Sequence, residues 1–371
     1  MTVMTSTGRS LAPDLARGFM LLAIALAHAP VFVSGAGPGV LDGVAAFLDH
    51  LLAHNQARPM FVFLFGYALG QLACRHQAKG GDWISLRKLL RRRGRWLIVI
   101  GFVHGVLLVP LDIVAVYGFT LLVLAPLVRA RDSVLCWTAA LALAPAALVV
   151  SGPIILAYAG AVPITPAGSM PADLGSHLLS GLQLWPFKTV LGTIDVVPGM
   201  LLGIWAARRR ILDEPERHQT LLRRVTVIGL GVALIGRLAG ALLMAGVWTP
   251  PAPSAAVLAH TLTGYAGGIA LAALIGLVAT RVEGGPFTTA LAALGQRSLT
   301  FYLFQSVVFL VLFYPFTLDL GGELGFAEAS GIAVAIWAVS ILLAEWMRRA
   351  GYRGPAEVLL RRLTYRHSSG A

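Results

Sequence analysis

The stretch APDLARGFMLLAIALAHAP, residues 12–30, sets Asp14, Arg17 and His28 into an otherwise apolar run. About 20 apolar residues in a helix cross a hydrocarbon core of roughly 30 Å. The three polar groups are not scattered through that helix. From Arg17 to His28 is 11 steps, which at about 100° and 1.5 Å per residue returns to within about 20° and advances roughly 16 Å. Asp14 lies one turn earlier on the same stripe. One face therefore carries an acid and a base at one rim and an imidazole near mid-depth. An ionisable side chain at that depth is expected to face the bundle interior or a wet cavity. His28 reads as a functional residue or as a hydrogen-bonded core histidine.

The rest of the chain fits this opening. Of 371 residues 57% are hydrophobic and only 12% charged, with mean hydropathy +0.78, which excludes an ordinary soluble globule. Apolar runs near 14–34, 59–74, 96–110, 113–128, 133–151, 188–206, 225–247, 255–280, 298–316 and 327–347 predict an all-α, polytopic helix bundle of about ten transmembrane helices in a single domain, 1–371. The second, third and fourth runs are short or closely coupled. No internal repeat, low-complexity tract or separate soluble domain stands out.

Basic residues set the expected orientation. The segments RHQAKGGDWISLRKLLRRRGR (75–95), RARD (129–132), RRRILDEPERHQTLLRR (208–224), Arg281 and RRAGYRGPAEVLLRRLTYRH (348–367) all fall on one side of a ten-helix arrangement. Only Arg58 and Lys188, opposite, and Arg237, inside a helix, depart from it, leaving 26 of the 29 basic residues on that side. By the positive-inside rule this side is cytoplasmic, and both termini lie there. The net charge of +12 then reports topology in a multi-pass cell-membrane protein, and no nucleic-acid partner is expected. Cys74 and Cys136 fall at cytoplasmic helix ends and predict free thiols. With Asp14 and Arg17 inside the first apolar segment, it is expected to stay as a helix rather than be cleaved. The Gly-, Pro- and Ala-rich stretch 152–187 reads as an extracytoplasmic loop, either a connector or the seat of a surface helix at DLGSHLLSGLQLWPF (173–187). The segment 350–371 reads as a short cytoplasmic helix and tail, with Pro355 in the first helical turn.

The pattern Asp14, Arg17-Gly18, an apolar run and His28 resembles the first helix of the membrane acyltransferase superfamily. That superfamily includes the O-acetylating enzymes of bacterial surface polysaccharides and lysosomal heparan-glucosaminide N-acetyltransferase. More closely, the chain resembles the YeiB-like family of bacterial membrane proteins. The supporting stretches are ARPMFVFLFGYALG (57–70), RWLIVIGFVHGVLLVPLDIVAVYG (95–118), GQRSLTFYLFQS (295–306) and YRGPAEVLLRRLTY (352–365). YeiB-like proteins often carry Asn where this chain has His28, whereas the polysaccharide acyltransferases carry His.

The resemblance implies acyl transfer from cytosolic acyl-CoA to a hydroxyl or amine of a glycan, lipid-linked precursor or secondary metabolite. The residues fit that chemistry. Arginines grip the phosphates of CoA by charge-assisted, often bidentate hydrogen bonds, and Arg17, with Asp14 beside it, and Arg91, Arg92 and Arg95 stand where those phosphates would lie. A pantetheine arm of roughly 15 to 20 Å matches the roughly 16 Å from Arg17 to His28. A neutral imidazole there can take the proton of the attacking acceptor, or be acylated itself. His104, nine residues after Arg95 and about 13 Å deep, is a second candidate for chemistry or an interhelical hydrogen-bonding residue. Arg237 and Asp195 form a buried ion pair or line the outer half of a cavity. Arg58 and Asp112 bind the acceptor or each other. Tyr67, Tyr117, Tyr302 and Gln305 are further cavity candidates, the alternative being interhelical glue. The histidines show no spacing that supports a metal site, and acyl-CoA is the one expected co-substrate. A homodimer is left open, and a small-molecule transporter or exporter is the rival reading.

Overall fold

The computed structural model describes residues 10–34, 39–162, 169–282 and 284–365. These residues fold into thirteen α-helices with short 3-10 turns and no strand. In chain order they are α1 (Leu11–His28), α2 (Val40–Leu52), α3 (Ala57–Ala78), α4 (Trp83–Leu107), α5 (Val114–Leu124), α6 (Asp132–Tyr158) and α7 (Leu174–Arg208). The second half contains α8 (Gln219–Met244), α9 (Pro253–Ala279), α10 (Pro286–Gln296), α11 (Ser298–Phe313), α12 (Phe326–Arg349) and α13 (Pro355–Tyr365).

The bundle is organised around α1 and α3. Ala16, Met20, Leu21 and Ile24 of α1 are buried against Met60, Phe63, Leu64 and Tyr67 of α3, so the first apolar helix is enclosed by protein. Other helices turn large apolar side chains outward: Trp137, Leu141, Val227, Ile235 and Leu342 are all exposed, which suits a lipid solvent. Between apolar helices in lipid the hydrophobic effect offers little attraction, and close backbone approach through small residues replaces it. The α3–α7 crossing is of this kind. A Cβ on Gly66 would stand 2.1 Å from the Met200 carbonyl oxygen, and one on Gly203 would stand 2.1 Å from that of Phe63.

Seven helical stretches among the described residues are long and apolar enough to cross a membrane: Leu11–Phe32, Val40–Ala78, Asp132–Tyr158, Leu174–Arg208, Pro215–Met244, Pro253–Ala279 and Phe326–Arg349. An eighth appears if α10 and α11, bent by 83° at their junction, count as one span. The ten expected from the sequence differ for a physical reason. The first half of α4 is basic from Arg87 to Arg95, leaving an apolar remainder too short to cross by itself, and α5 is a short apolar helix.

Two further points concern the segments between the expected runs. The segment between residues 34 and 57, between the first two runs, contains α2, whose Leu41, Val44, Leu48 and Leu52 form an exposed stripe at helical spacing. Much of the expected loop 152–187 is helix: α6 continues to Tyr158 despite Pro145 and Pro153, and the helix offered as an alternative at 173–187 is the start of α7, which begins at Leu174 on the N-cap Asp173 and continues to Arg208. The Asp173 carboxylate accepts from the Ser176 backbone N–H at 3.0 Å, as N-cap chemistry predicts. Residues 163–168 of that loop and 366–371 of the expected C-terminal tail lie outside the described residues. The short helix expected near the C-terminus is α13. Its Glu357 accepts from the backbone N–H groups of Leu299 (2.8 Å) and Thr300 (3.2 Å) and so caps the start of α11.

Overpacking a tight contact costs about 1–3 kcal/mol, so Gly203→Val is expected to lower the thermal unfolding midpoint of the detergent-solubilised protein by several degrees. Gly231→Ala, where a Cβ meets nothing within 4 Å, should leave it unchanged or raise it slightly. Equal midpoints for both variants would show that the α3–α7 crossing is not the tight contact described.

Candidate functional site

Two cavities lie one behind the other along the bundle. The first, about 420 Å³, opens where the end of α1, the start of α3, the middle of α7 and the α4–α5 turn meet. Its polar wall is His28, Arg58, Asp112, Lys188, Asp195 and Tyr302. His28 reaches it as the last residue of α1, where the chain leaves the helix through the 3-10 turn Ala29–Phe32 containing Pro30. Among the described residues, nothing hydrogen-bonds the His28 ring, which is half-buried.

Arg58 is held at this wall rather than buried in it. Its Nη1 donates to Asp195 Oδ2 at 2.8 Å, while 48% of its side chain remains exposed. Asp195 is otherwise committed: Tyr265 Oη donates to Oδ1 at 2.5 Å. The pair expected between Asp195 and Arg237 is therefore not formed, and neither is one between Arg58 and Asp112. Arg237 turns the other way, its guanidinium donating to the backbone oxygens of His50, Leu51 and His54 at the end of α2. This is a normal use of a cation at a helix C-terminus.

His104 is engaged on both ring nitrogens. Nδ1 lies 3.0 Å from Asp112 Oδ1 and Nε2 lies 2.8 Å from Ser306 Oγ. A carboxylate only accepts, so Nδ1–H donates to Asp112 and Nε2 accepts from the serine hydroxyl. The ring is 1% exposed and does not reach the cavity. It ties α4 to α11 and to the α4–α5 turn, the interhelical alternative raised from the sequence, while its partner Asp112 lines the wall. Tyr302 also lines the wall and donates from Oη to the Leu111 carbonyl at 2.8 Å.

The second cavity, about 310 Å³, has a basic and amide-rich wall: Arg17, Arg75, Arg93, Gln71 and Gln296, with Glu357 of α13 at its edge. Asp14, fully buried, accepts from Arg17 Nη1 and Gln296 Nε2, each at 3.0 Å. Arg17 lines this cavity, and in α4 the lining residues differ from those expected. There Arg93 and Leu97, four residues apart and so on one face, line the cavity, whereas Arg91 and Arg95, two residues either side of Arg93, point to the opposite, exposed face. Arg92 donates to the Thr364 carbonyl of α13 at 3.1 Å.

Phe61 is a wall of both cavities. Its ring lies 5.2 Å from that of Tyr117, on the second cavity, and 6.2 Å from that of Tyr302, on the first. The order of lining residues is the same on every helix that touches both. Arg17 precedes His28 on α1, Ser298 precedes Tyr302 on α11, and on the oppositely directed α3 Arg58 precedes Gln71 and Arg75. The two spaces are thus stacked end to end with one aromatic partition between them.

Tyr67 and Gln305 do not line either cavity. Tyr67 Oη donates to Asp213 Oδ2 (3.0 Å) and accepts the N–H groups of Leu212 and Asp213, fastening the α7–α8 loop. Gln305 Nε2 donates to the Leu21 carbonyl at 3.1 Å. The structure adds residues that the sequence reading passed over: Arg75 and Lys188 at the cavity walls, and a cluster of Asp49, His50 and His54 whose ligand atoms lie within 4.8 Å of one another. The signal for that cluster is the spacing of His50 and His54, four residues apart, with Asp49 beside them.

Comparison with known proteins agrees with the resemblance drawn from the sequence. The chain is 25% identical over 358 residues to the "Uncharacterized protein YxaH" of Bacillus subtilis (strain 168), an alignment covering 87% of this chain and 83% of that protein. The family model described as "Protein of unknown function (DUF418)" matches residues 206–367, from the end of α7 through α13. The C-terminal part of the chain is thus similar to the DUF418 family, the YeiB-like domain of unknown function.

Proposed function

We propose that the protein is a transmembrane acyltransferase that passes an acyl group from a cytosolic acyl-CoA to a hydroxyl or amine acceptor in the outer half of a bacterial cell membrane. The observation that carries this reading is the pair of stacked cavities, one walled by Arg17, Arg75 and Arg93 and the other by the His28 imidazole. In this reading the bundle crosses the membrane ten times, with α4 and α5 completing the count under the protection of their neighbours. Both termini then lie in the cytoplasm, and the second cavity opens there.

The arginines would hold the donor's phosphates, each by charge-assisted hydrogen bonds, and the pantetheine arm would run past Phe61 towards His28. The acceptor oxygen or nitrogen attacks the thioester carbonyl, His28 takes its proton, the new C–O or C–N bond forms, and the C–S bond breaks to release CoA thiolate. Arg58, exposed to the cavity and fixed by Asp195, is suited to bind the acceptor or the developing negative charge on the carbonyl oxygen. His104 and Asp112 shape the wall and would act by positioning. Transport is the second reading, favoured by one observation, two cavities with charged walls that share Phe61 along the bundle.

Calorimetric titration of acetyl-CoA and longer acyl-CoAs into the purified protein separates these readings. Arg17→Ala and Arg93→Ala are expected to weaken binding about tenfold or more each, as loss of an interaction worth 1.4 kcal/mol does. His28→Ala should bind the donor like wild type yet lose thioester turnover by about 100-fold or more, the scale of general-base catalysis. Absence of acyl-CoA binding by folded wild type would end the acyltransferase reading in favour of transport.

The orientation has its own test, because Cys74, at the second-cavity end of α3, is exposed. A membrane-impermeant maleimide should label Cys74 in inverted vesicles and not in intact spheroplasts. Labelling from the outside would reverse the topology and with it the side of the donor.

A further inference from the structure

At the junction of α2 and α3, beside the first cavity, three potential metal ligands meet: Asp49, His50 and His54. His50 and His54 stand four residues apart, where α2 ends. The backbone N–H groups of Ala53 and His54 both donate to the Asp49 carbonyl at 2.8 Å, and Asn55 follows at φ +56°, a left-handed position that breaks the helix before α3 begins. This brings the His54 ring against that of His50, with centroids 5.0 Å apart.

The polar atoms of this cluster are unusual in what they lack. Asp49 is 8% exposed, and both its Oδ1 and the Nδ1 of His50 are buried and meet no hydrogen-bond partner. A buried carboxylate oxygen and an imidazole nitrogen without partners are each unfavourable, and a shared ligand would satisfy both. The nearby Arg237 uses Nε and Nη2 on the backbone oxygens of His50, Leu51 and His54; its Nη1 is likewise buried without a hydrogen-bond partner, so it makes no hydrogen bond to Asp49.

We propose that Asp49, His50 and His54 bind one divalent transition-metal ion, of the zinc or cobalt class. Two imidazoles and one carboxylate are a donor set for such ions, with bonds of about 2.0–2.2 Å and an open fourth position. Their ligand atoms lie within 4.8 Å of one another, near enough for one ion to draw them together. His54 and Asn55 also line the first cavity, which provides an entry path and places the fourth position within reach of water or an oxygen donor of the cavity's occupant. His260 stays outside the set: its Nε2 donates to the His50 carbonyl at 2.8 Å and its Nδ1 accepts from Asn55 Nδ2 at 3.3 Å. It orients the turn as an outer-shell residue. The positive Arg237 beside the site reduces affinity for a cation, so the ion is expected to be exchangeable with chelators.

The test is titration of tag-free, full-length protein in detergent with Co2+ after chelator treatment, followed by its visible d–d absorption. One equivalent per chain is expected in wild type and in His260→Gln, displaced by Zn2+. His50→Gln and His54→Gln should each lose at least tenfold in affinity. X-ray absorption of the wild-type cobalt complex supplies a reading that needs no variant: two imidazoles and oxygen donors are expected in the coordination shell. No bound equivalent in folded wild type, unchanged affinity in both histidine variants, or a shell containing thiolate from Cys74 or Cys136 would each overturn the assignment.

Discussion

The carboxylate of Asp112 is the interaction on which the arrangement of the cavities depends. It sits at the break between α4 and α5 and accepts from the backbone N–H groups of Val114 (3.0 Å) and Ala115 (2.9 Å) as well as from His104. Those N–H groups begin a helix in an apolar surrounding and have no water to turn to, so an acceptor must be built in. By satisfying them Asp112 stops α4 and starts α5 at one point. Through His104 and Ser306 it then fixes α11 against the same turn, and through the adjacent Leu111 carbonyl it receives Tyr302. The first cavity is the space left beside this knot.

The same economy governs the other buried polar groups. Arg58, Asp195 and Tyr265 form one chain of hydrogen bonds between α3, α7 and α9. Asp14, Arg17 and Gln296 form another between α1 and the end of α10. Each network lies at a helix crossing, and each leaves one cationic group facing a cavity: Arg58 in the first and Arg17 in the second. Removing one partner from such a network strands a charge in a low-dielectric setting, a far larger cost than a surface ion pair carries. Polar residues that fasten the bundle and residues available to a ligand are therefore interleaved, and only the contacts distinguish them.

Helical periodicity accounts for how well the sequence located these residues. His28 and Arg17 are on one helix, where 100° per residue predicts a shared stripe, and both line cavities at opposite ends of the stack. In α4 the run of arginines is legible but its phase is not: Arg93 faces inward and Arg91 and Arg95 outward because Gly94 and Gly101 let α4 approach α5 closely on one side. His104 had the depth of a reactive base, yet Asp112 and Ser306 occupy both of its nitrogens. Asp195 and Arg237 had matching depths, and depth alone cannot state that α3 places Arg58 nearer to Asp195 while the end of α2 offers Arg237 three carbonyls.

What the sequence by itself determined is an all-helical chain with enough apolar helices to span a membrane, a basic side, the polar stripe of α1 and the kinship with the YeiB-like family. These depend on composition, on helical period and on local motifs, all of which are linear properties. What only the tertiary structure decided is which polar groups pair with each other and which remain open to a cavity. That depends on distances between helices far apart in sequence, such as the 137 residues separating Arg58 from Asp195 and the 202 separating His104 from Ser306. It decided the surroundings of the Asp49–His50–His54 cluster as well, because Arg237 of α8, 183 to 187 residues away, donates to the carbonyls where α2 ends.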